Sequence, residues 1–319
     1  MTKIHDPSSA AKPGIDRPLR LGTRQSPLAL AQAEMTAKAL VAAHRWSADQ
    51  VELVPMIASG DRILDRSLAD AGGKALWTKE LDRSLAAGEI DCAVHSMKDV
   101  ETIRPEEFVV AAMLERADIH DRLVGAENID ALPHGAIVGT ASPRRKAQLL
   151  RQRDDLDIRL IRGNVQTRLA KIAAGEYAAS LLAAAGLDRL GMDDIGTDIS
   201  DELMLPAPAQ GAIGIETLRE AQAIRDLLSD ISCSATFQAV MAERAFLAEL
   251  TADCHSPVAA NAVVQDTQLC LRAEILLPDG SESVSDSVEF ANDDKQAPAR
   301  LANSLLGRAS AELKAVFGR

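Results

Sequence analysis

Short apolar runs alternate with stretches of helical period through the first 230 residues. "PLRLGT" (18–23) predicts a strand, and "LALAQAEMTAKALVAA" after it places Leu28, Ala31, Met35 and Ala39 on one helical face. Between them Ser26 has the chemistry of an N-cap and Pro27 that of a first helical residue. The device returns about 115 residues later: "GAIVGT" (135–140) predicts a strand, Ser142-Pro143 the cap, and "RRKAQLLRQR" the helix. A repeat of this kind predicts two similar α/β domains, each aiming a helix N-terminus, with its free N–H groups, at a ligand. Further strands are expected over 50–57, 91–97, 157–163 and 178–186, with helical patterns between several of them. The alternation predicts mainly parallel sheets with binding sites at their carboxyl ends. From residue 234 the pattern changes to one helix, strands near 257–264, 268–277 and 283–290, and a final helix over about 296–316. That is an α-β-β-β-α module.

A chain of 319 residues, 47% hydrophobic, suffices for two or three domains with their own cores. Met1–Pro18 has no apolar run and reads as a disordered tail, not a signal peptide. The apolar run "YAASLLAAAGL" is too short to cross a bilayer, so a soluble, cytoplasmic protein is expected. The glycine- and charge-rich stretch 58–77 fits either a lid or a plain surface excursion. Cys92, Cys233 and Cys270 sit in settings that suit small core residues. Cys254, in the loop sequence "TADCHSPVAA", fits that role poorly, and no CxxC pair accompanies it.

The formal charge of −12 argues against a general nucleic-acid binder, and eight aromatic residues (Trp 2, Tyr 1, Phe 5) are too few for base stacking. The charge is uneven, however. Residues 142–171 carry nine Lys or Arg against three Asp, which points to a small polyanion, a phosphate or a carboxylate. In "RGNVQTR" Arg162 ends a strand, Asn164 can cap a helix and Arg168 falls in its first turns, with Arg144 and Arg145 in the matching place after "GTASP". Arginines at helix starts oppose the macrodipole, and a bound anion offsets that cost; a solvated basic face paired with Asp154, Asp155 and Asp157 is the alternative. "HSMKDV" (95–100) puts Lys98 and Asp99 at a strand's carboxyl end, where Asp99 can act as a general acid or stabilise a cation, or simply close a salt-bridged turn. There is no HExxH or paired CxxC motif, so no metal is expected; there is also no P-loop and no GxGxxG after a strand.

Taken in order, "TRQSPLAL", "VPMIASGD", "GGKALWTKEL", "AVHSMKDV", "VGTASPRR", "RGNVQTRL", "AAGLDRLG", "LPAPAQGAIGIE" and "DCHSPVA" resemble the porphobilinogen deaminase (hydroxymethylbilane synthase) family, from about Leu19 to the C-terminal helix. The resemblance implies two type II periplasmic-binding-protein-like α/β domains with a cleft between them and a small α+β C-terminal domain. The matching boundaries are 19–114 plus 212–230, 115–211 and 231–319. It implies a transferase that condenses four porphobilinogen molecules head to tail on a covalent dipyrromethane primer, with loss of ammonia and release of hydroxymethylbilane. By the same resemblance Cys254 carries the primer, and Asp99 is the catalytic carboxylate that assists loss of the amino group and stabilises the azafulvene cation. Arg24, Ser26, Lys74, Lys98, Thr140, Ser142, Arg144, Arg145, Arg162, Arg168 and Arg189 match cofactor and substrate contacts. A monomer without nucleic-acid or membrane partners is also implied. The chain departs from the family pattern at Ala141, Pro143, Ala209 and Ala252-Asp253, and the Asp253 charge is expected to raise the thiol pKa. The rival reading is a noncatalytic polycarboxylate-binding module, which explains the arginines but neither Asp99 nor Cys254.

Overall fold

The computed structural model describes residues 17–57, 78–253 and 255–319. The tail before Arg17, the 58–77 stretch with Lys74, and Cys254 lie outside the described residues.

The first lobe begins with strand β1 (Leu19–Arg24), helix α1 (Pro27–His44), strand β2 (Val51–Met56), helix α2 (Lys79–Ala86), strand β3 (Cys92–Ser96) and strand β4 (Phe108–Met113). The local chemistry of the β1–α1 turn is legible. The Ser26 hydroxyl accepts the Ala29 N–H and Pro27 opens the helix, but the buried face is Ala29, Gln32, Ala33, Thr36 and Leu40 rather than the expected stripe of Leu28, Ala31, Met35 and Ala39, and Met35 is exposed. The chain then crosses to the second lobe: strand β5 (Asp121–Val124), strand β6 (Ile137–Gly139), helix α3 (Pro143–Gln152), strand β7 (Asp157–Arg159), helix α4 (Val165–Ala173), strand β8 (Ala179–Ala183), helix α5 (Ala184–Asp188) and strand β9 (Thr197–Ile199). It returns to the first lobe as strand β10 (Ile213–Leu218) and helix α6 (Gln222–Ser229).

The two sheets have the orders β2-β1-β3-β10-β4 and β7-β6-β8-β5-β9, which are the same pattern with β1 equivalent to β6 and α1 to α3. The two copies of the strand–Ser-Pro–helix device therefore occupy equivalent places. Four of the five strands in each sheet run the same way, as the expectation of mainly parallel sheets requires, and one runs against them. Strand β10 runs antiparallel to β3 and β4, and β5 antiparallel to β8 and β9. The reason is topological: each of these strands enters its sheet after crossing from the other lobe, and so from the opposite end. The strand expected over 178–186 gives way to helix α5 at Ala184, and the one over 157–163 stops at Arg159.

The third unit comprises helix α7 (Ser234–Glu249), the antiparallel sheet of strands β11 (Val258–Gln265), β12 (Gln268–Leu276) and β13 (Ser283–Ala291), and helices α8 (Ala297–Arg308) and α9 (Ala311–Val316). The single final helix expected from the pattern is broken, because Ser310 caps α9 by accepting the Leu313 N–H. A core built on Phe246, Leu271, Ile275, Leu301 and Leu305 closes this unit. Of the cysteines read as core residues, Cys92 is buried, whereas Cys233 and Cys270 are only partly so.

Two carboxylates bind the third unit to the lobes. Glu243 of α7 is wholly buried. It accepts Arg116 from the outgoing crossing (2.6 Å), the Ala209 N–H from the return crossing (2.5 Å) and the Ala262 N–H of β11 (2.7 Å). Glu274 of β12 accepts Gln148 of α3 (3.0 Å) and pairs with Arg151. Ala209 has φ +61 and keeps the left-handed conformation despite its Cβ.

Helix α7 ends in a Schellman motif: the Ala252 N–H reaches Leu247 O (3.0 Å) and the Thr251 N–H reaches Ala248 O (3.1 Å). The left-handed position is held by Thr251 (φ 53), a β-branched residue where glycine is favoured, and its side chain is exposed. Thr251→Gly is therefore expected to raise stability by about 1 kcal/mol, read as a shift of the denaturant midpoint. An unchanged or lower midpoint would show that the left-handed threonine is not strained.

Candidate active site

A cleft of about 770 Å³ lies between the lobes, and Arg24, Ser96 and Ala183, the last residues of β1, β3 and β8, all line it. The carboxyl ends of both sheets thus meet across one space. The first lobe adds Gln25 to Leu28 at the start of α1, with Lys98 and Asp99 from a 3-10 turn that follows β3. From the second lobe come Arg145, the run Arg162–Arg168 and Arg189, while Ala209, Gly211 and Ala212 of the return crossing close one side.

The charge of this lining is one-sided. Arg24, Lys98, Arg145, Arg162, Arg168 and Arg189 face a single acid, Asp99, among the described lining residues. Burial pushes the Lys98 ammonium down to about 8, and the neighbouring Arg145 adds to the effect; Asp99 and Asp121 pull the other way. Lys98 keeps some exposure to the cleft, but protein surrounds its charge closely enough for desolvation to dominate. Arg168 is lowered to about 10 by burial and by Arg145 and Arg162, and burial lowers Arg189 to about 10 as well. The buried Nε atoms of Arg145, Arg162 and Arg189 have no hydrogen-bond partner among the described residues. Crowded, desolvated cations with unused donors form a site suited to carboxylates, which guanidinium groups can bind in pairs of hydrogen bonds.

The structure separates the residues that the sequence placed together. Arg24, Ser26, Lys98, Asp99, Arg145, Arg162, Arg168 and Arg189 share the cleft. Arg144 does not line it: its guanidinium turns inward to Asp121 (2.7 Å), Gln148 (2.8 Å) and Leu205 O (2.9 Å). Thr140 and Ser142 also lie outside the lining. Thr140 accepts the Ser142 N–H (3.1 Å), and Ser142 caps α3. The second helix N-terminus to line the cleft is that of α4, not the expected α3: Asn164 caps it and Asn164 to Thr167 form part of the wall.

The physical reason is Asp121, which the sequence reading missed. This fully buried carboxylate receives Arg144, Arg145 (2.6 Å) and Gln210 (2.8 Å). Burial alone would raise its pKa, but the two guanidinium charges hold it well below the usual carboxylate range. Its only sequence signal is an acid opening the apolar strand "DRLV". Gln32 was missed as well. It is buried on α1 and shares hydrogen bonds with Ser96 (2.9 and 3.0 Å) in the cleft wall. A glutamine on the apolar face of "LALAQAEMT" was the available clue.

Two lobes of one topology, a cationic cleft at their strand ends and an attached third unit define a two-lobed α/β architecture. Two family models match: "Porphobilinogen deaminase, dipyromethane cofactor binding domain" over residues 19–226 and "Porphobilinogen deaminase, C-terminal domain" over 237–307. The porphobilinogen deaminase of Sphingopyxis alaskensis is 56% identical over 308 residues, 95% of this chain and 97% of that protein. That of Paracoccus denitrificans is 46% identical over 98% of each. The chain belongs to the porphobilinogen deaminase family. A solved TRAP periplasmic solute binding protein from Desulfovibrio salexigens covers 68% of this chain and 73% of its own at 12% identity and a TM-score of 0.40.

The depressed Lys98 pKa has a sign that can be tested. Between about 8 and the ordinary lysine value of 10.5 the unfolded chain binds a proton that the folded chain has shed, so stability rises with pH across that window. Below it the desolvation penalty is fully present. In protein freed of bound carboxylates, Lys98→Met is expected to raise the melting temperature at pH 7, and the gain should shrink as pH climbs through the window. A gain independent of pH would remove the desolvated charge as its cause.

Proposed function

We propose that this chain is a hydroxymethylbilane synthase that condenses four porphobilinogen molecules on a dipyrromethane primer held by Cys254, releasing ammonia and hydroxymethylbilane. Membership of the family along both parts of the chain supports the activity and the cofactor. The single structural observation behind the site assignment is the cleft in which, among the described residues, one carboxylate faces six cations. Each pyrrole of substrate and primer carries an acetate and a propionate, and the unpartnered, buried Nε atoms of Arg145, Arg162 and Arg189 fit such groups. When bound, the dipyrromethane supplies the anchored pyrrole end at which the chain grows.

In this reading the residues divide the work. Arg24, Arg145, Arg162, Arg168 and Arg189 bind carboxylates and orient the pyrrole rings, while Leu28, Leu182 and Leu190 give apolar surface in the same cleft. Asp99 faces the aminomethyl group. It serves as proton donor to the departing ammonia and as counter-charge to the cation left on the substrate carbon. Lys98, beside it in the same turn, holds a carboxylate while it keeps its proton. The reading includes a cytoplasmic monomer; among the described residues no helix is long and apolar enough to cross a membrane. A passive polycarboxylate-binding module has no support from the family match, and it leaves Asp99 without a task.

Asp99→Asn should fold normally and lose turnover by roughly two to four orders of magnitude, measured as porphobilinogen consumption. Near-parental consumption would remove Asp99 from the mechanism. Protein from a porphobilinogen-producing host should exceed its chain mass by one dipyrromethane, and Cys254→Ala should show the bare chain mass and no activity. The thiolate is the side chain with the nucleophilicity to form such a link near neutral pH. An active parent protein at the bare chain mass would refute the attachment.

A further inference from the structure

The segment that follows Asp99 is fastened at both ends. On the lobe side Arg104 donates to Glu216 (2.9 and 2.8 Å), Glu101 (2.8 Å) and Asp82 (2.5 Å), which ties it to β10 and α2. On the other side the buried guanidinium of Arg244, from α7, grips three successive backbone carbonyls: Val100 (3.3 Å), Glu101 (2.5 Å) and Thr102 (3.0 Å). Thr102 completes the connection by donating its hydroxyl to Ala252 O at 2.8 Å. Ala252 is buried, and it is the last residue of the Schellman turn that ends α7. After it the Asp253 carboxylate accepts the His255 N–H (2.8 Å). The Met97–Val100 turn itself packs with Ala209, Ala212 and Val240.

Ordinary docking of one unit on another does not call for this arrangement. Apolar contacts already join α7 to the turn. A charged side chain spent on backbone carbonyls fixes the path of the chain, not merely its proximity, since carbonyl positions follow the backbone within tenths of an ångström. The strained Thr251 lies directly before the fastened residue and sets the direction in which the chain leaves the helix. We propose that Thr102 and Arg244 are positioning residues which hold the chain leaving α7, and with it the segment entering Cys254, in fixed register with Asp99. The inference rests on the proposed function, in which Cys254 carries the growing chain and Asp99 acts on each incoming unit. A loose register would misplace the acceptor end without altering how porphobilinogen itself binds.

The test compares the parent protein with Thr102→Val, which swaps the hydroxyl for a methyl group at a half-buried position, and with Thr102→Ser, which keeps the hydroxyl. Three quantities are read: amide hydrogen exchange over residues 250–256, primer content by intact mass, and steady-state kinetics with porphobilinogen. Thr102→Val should speed exchange in that stretch about tenfold and lower kcat at least fivefold, with KM within twofold of the parent. Thr102→Ser should stay near the parent in all three. The proposal is overturned if Thr102→Val keeps the parental kcat and exchange. Equal impairment of the serine variant also overturns it, and so does faster exchange throughout the protein, because each points to a packing role without register. A parent protein that carries no adduct and consumes no porphobilinogen overturns the proposed function itself, and that result is visible before any variant is made.

Discussion

Glu243 carries the constraint on which the architecture depends. One wholly buried carboxylate gathers a guanidinium from the outgoing crossing, an N–H from the return crossing and an N–H from the third unit's sheet. A charge in that position is tolerable only because its acceptor sites are filled, and removing a partner from a buried ionic arrangement typically costs roughly 3–5 kcal/mol. The two lobes share no sheet, so their relative position is set by these crossings and by the unit that grips them. The cleft is the space this grip leaves between them.

Asp121 plays the complementary part inside the second lobe. It neutralises Arg144 and Arg145 together and holds Gln210 of the return crossing. Its effect on the cleft is selective: Arg144 is drawn wholly into the interior, while Arg145 reaches the cleft with Nε unused. Two adjacent arginines of one motif thereby acquire different places, one in the interior and one facing the cleft. The same carboxylate couples the crossing to the cationic wall, so the position of the lobes and the presentation of Arg145 are not independent.

The third unit is more than a support for a thiol. Through Glu274 it is fixed to α3 of the second lobe, and through Arg244 and Thr102 to the turn after Asp99 in the first. It therefore touches both walls of the cleft from behind. Charge-assisted bonds to backbone and to buried carboxylates supply most of its named polar contacts, a way of joining units that fixes geometry as well as adhesion.

By itself the sequence determined what depends on neighbours along the chain. The Ser-Pro starts of α1 and α3 were legible because a cap and a first-turn proline act within four residues, and the three-stranded sheet because strand period and turn residues are local signals. The motif segments fixed the family, and Lys98 and Asp99 fell at a strand end as their spacing required. What tertiary structure alone decided were matters of long-range pairing. The antiparallel strands β5 and β10 depend on crossings that no periodicity reports. The inward turn of Arg144 depends on Asp121, 23 positions away, and the grip of Arg244 on carbonyls more than 140 positions away. A side chain's type sets which bonds it can make. Which partner it meets follows from the balance of burial and charge in the folded whole, and that balance exists only when the distant segments have come together.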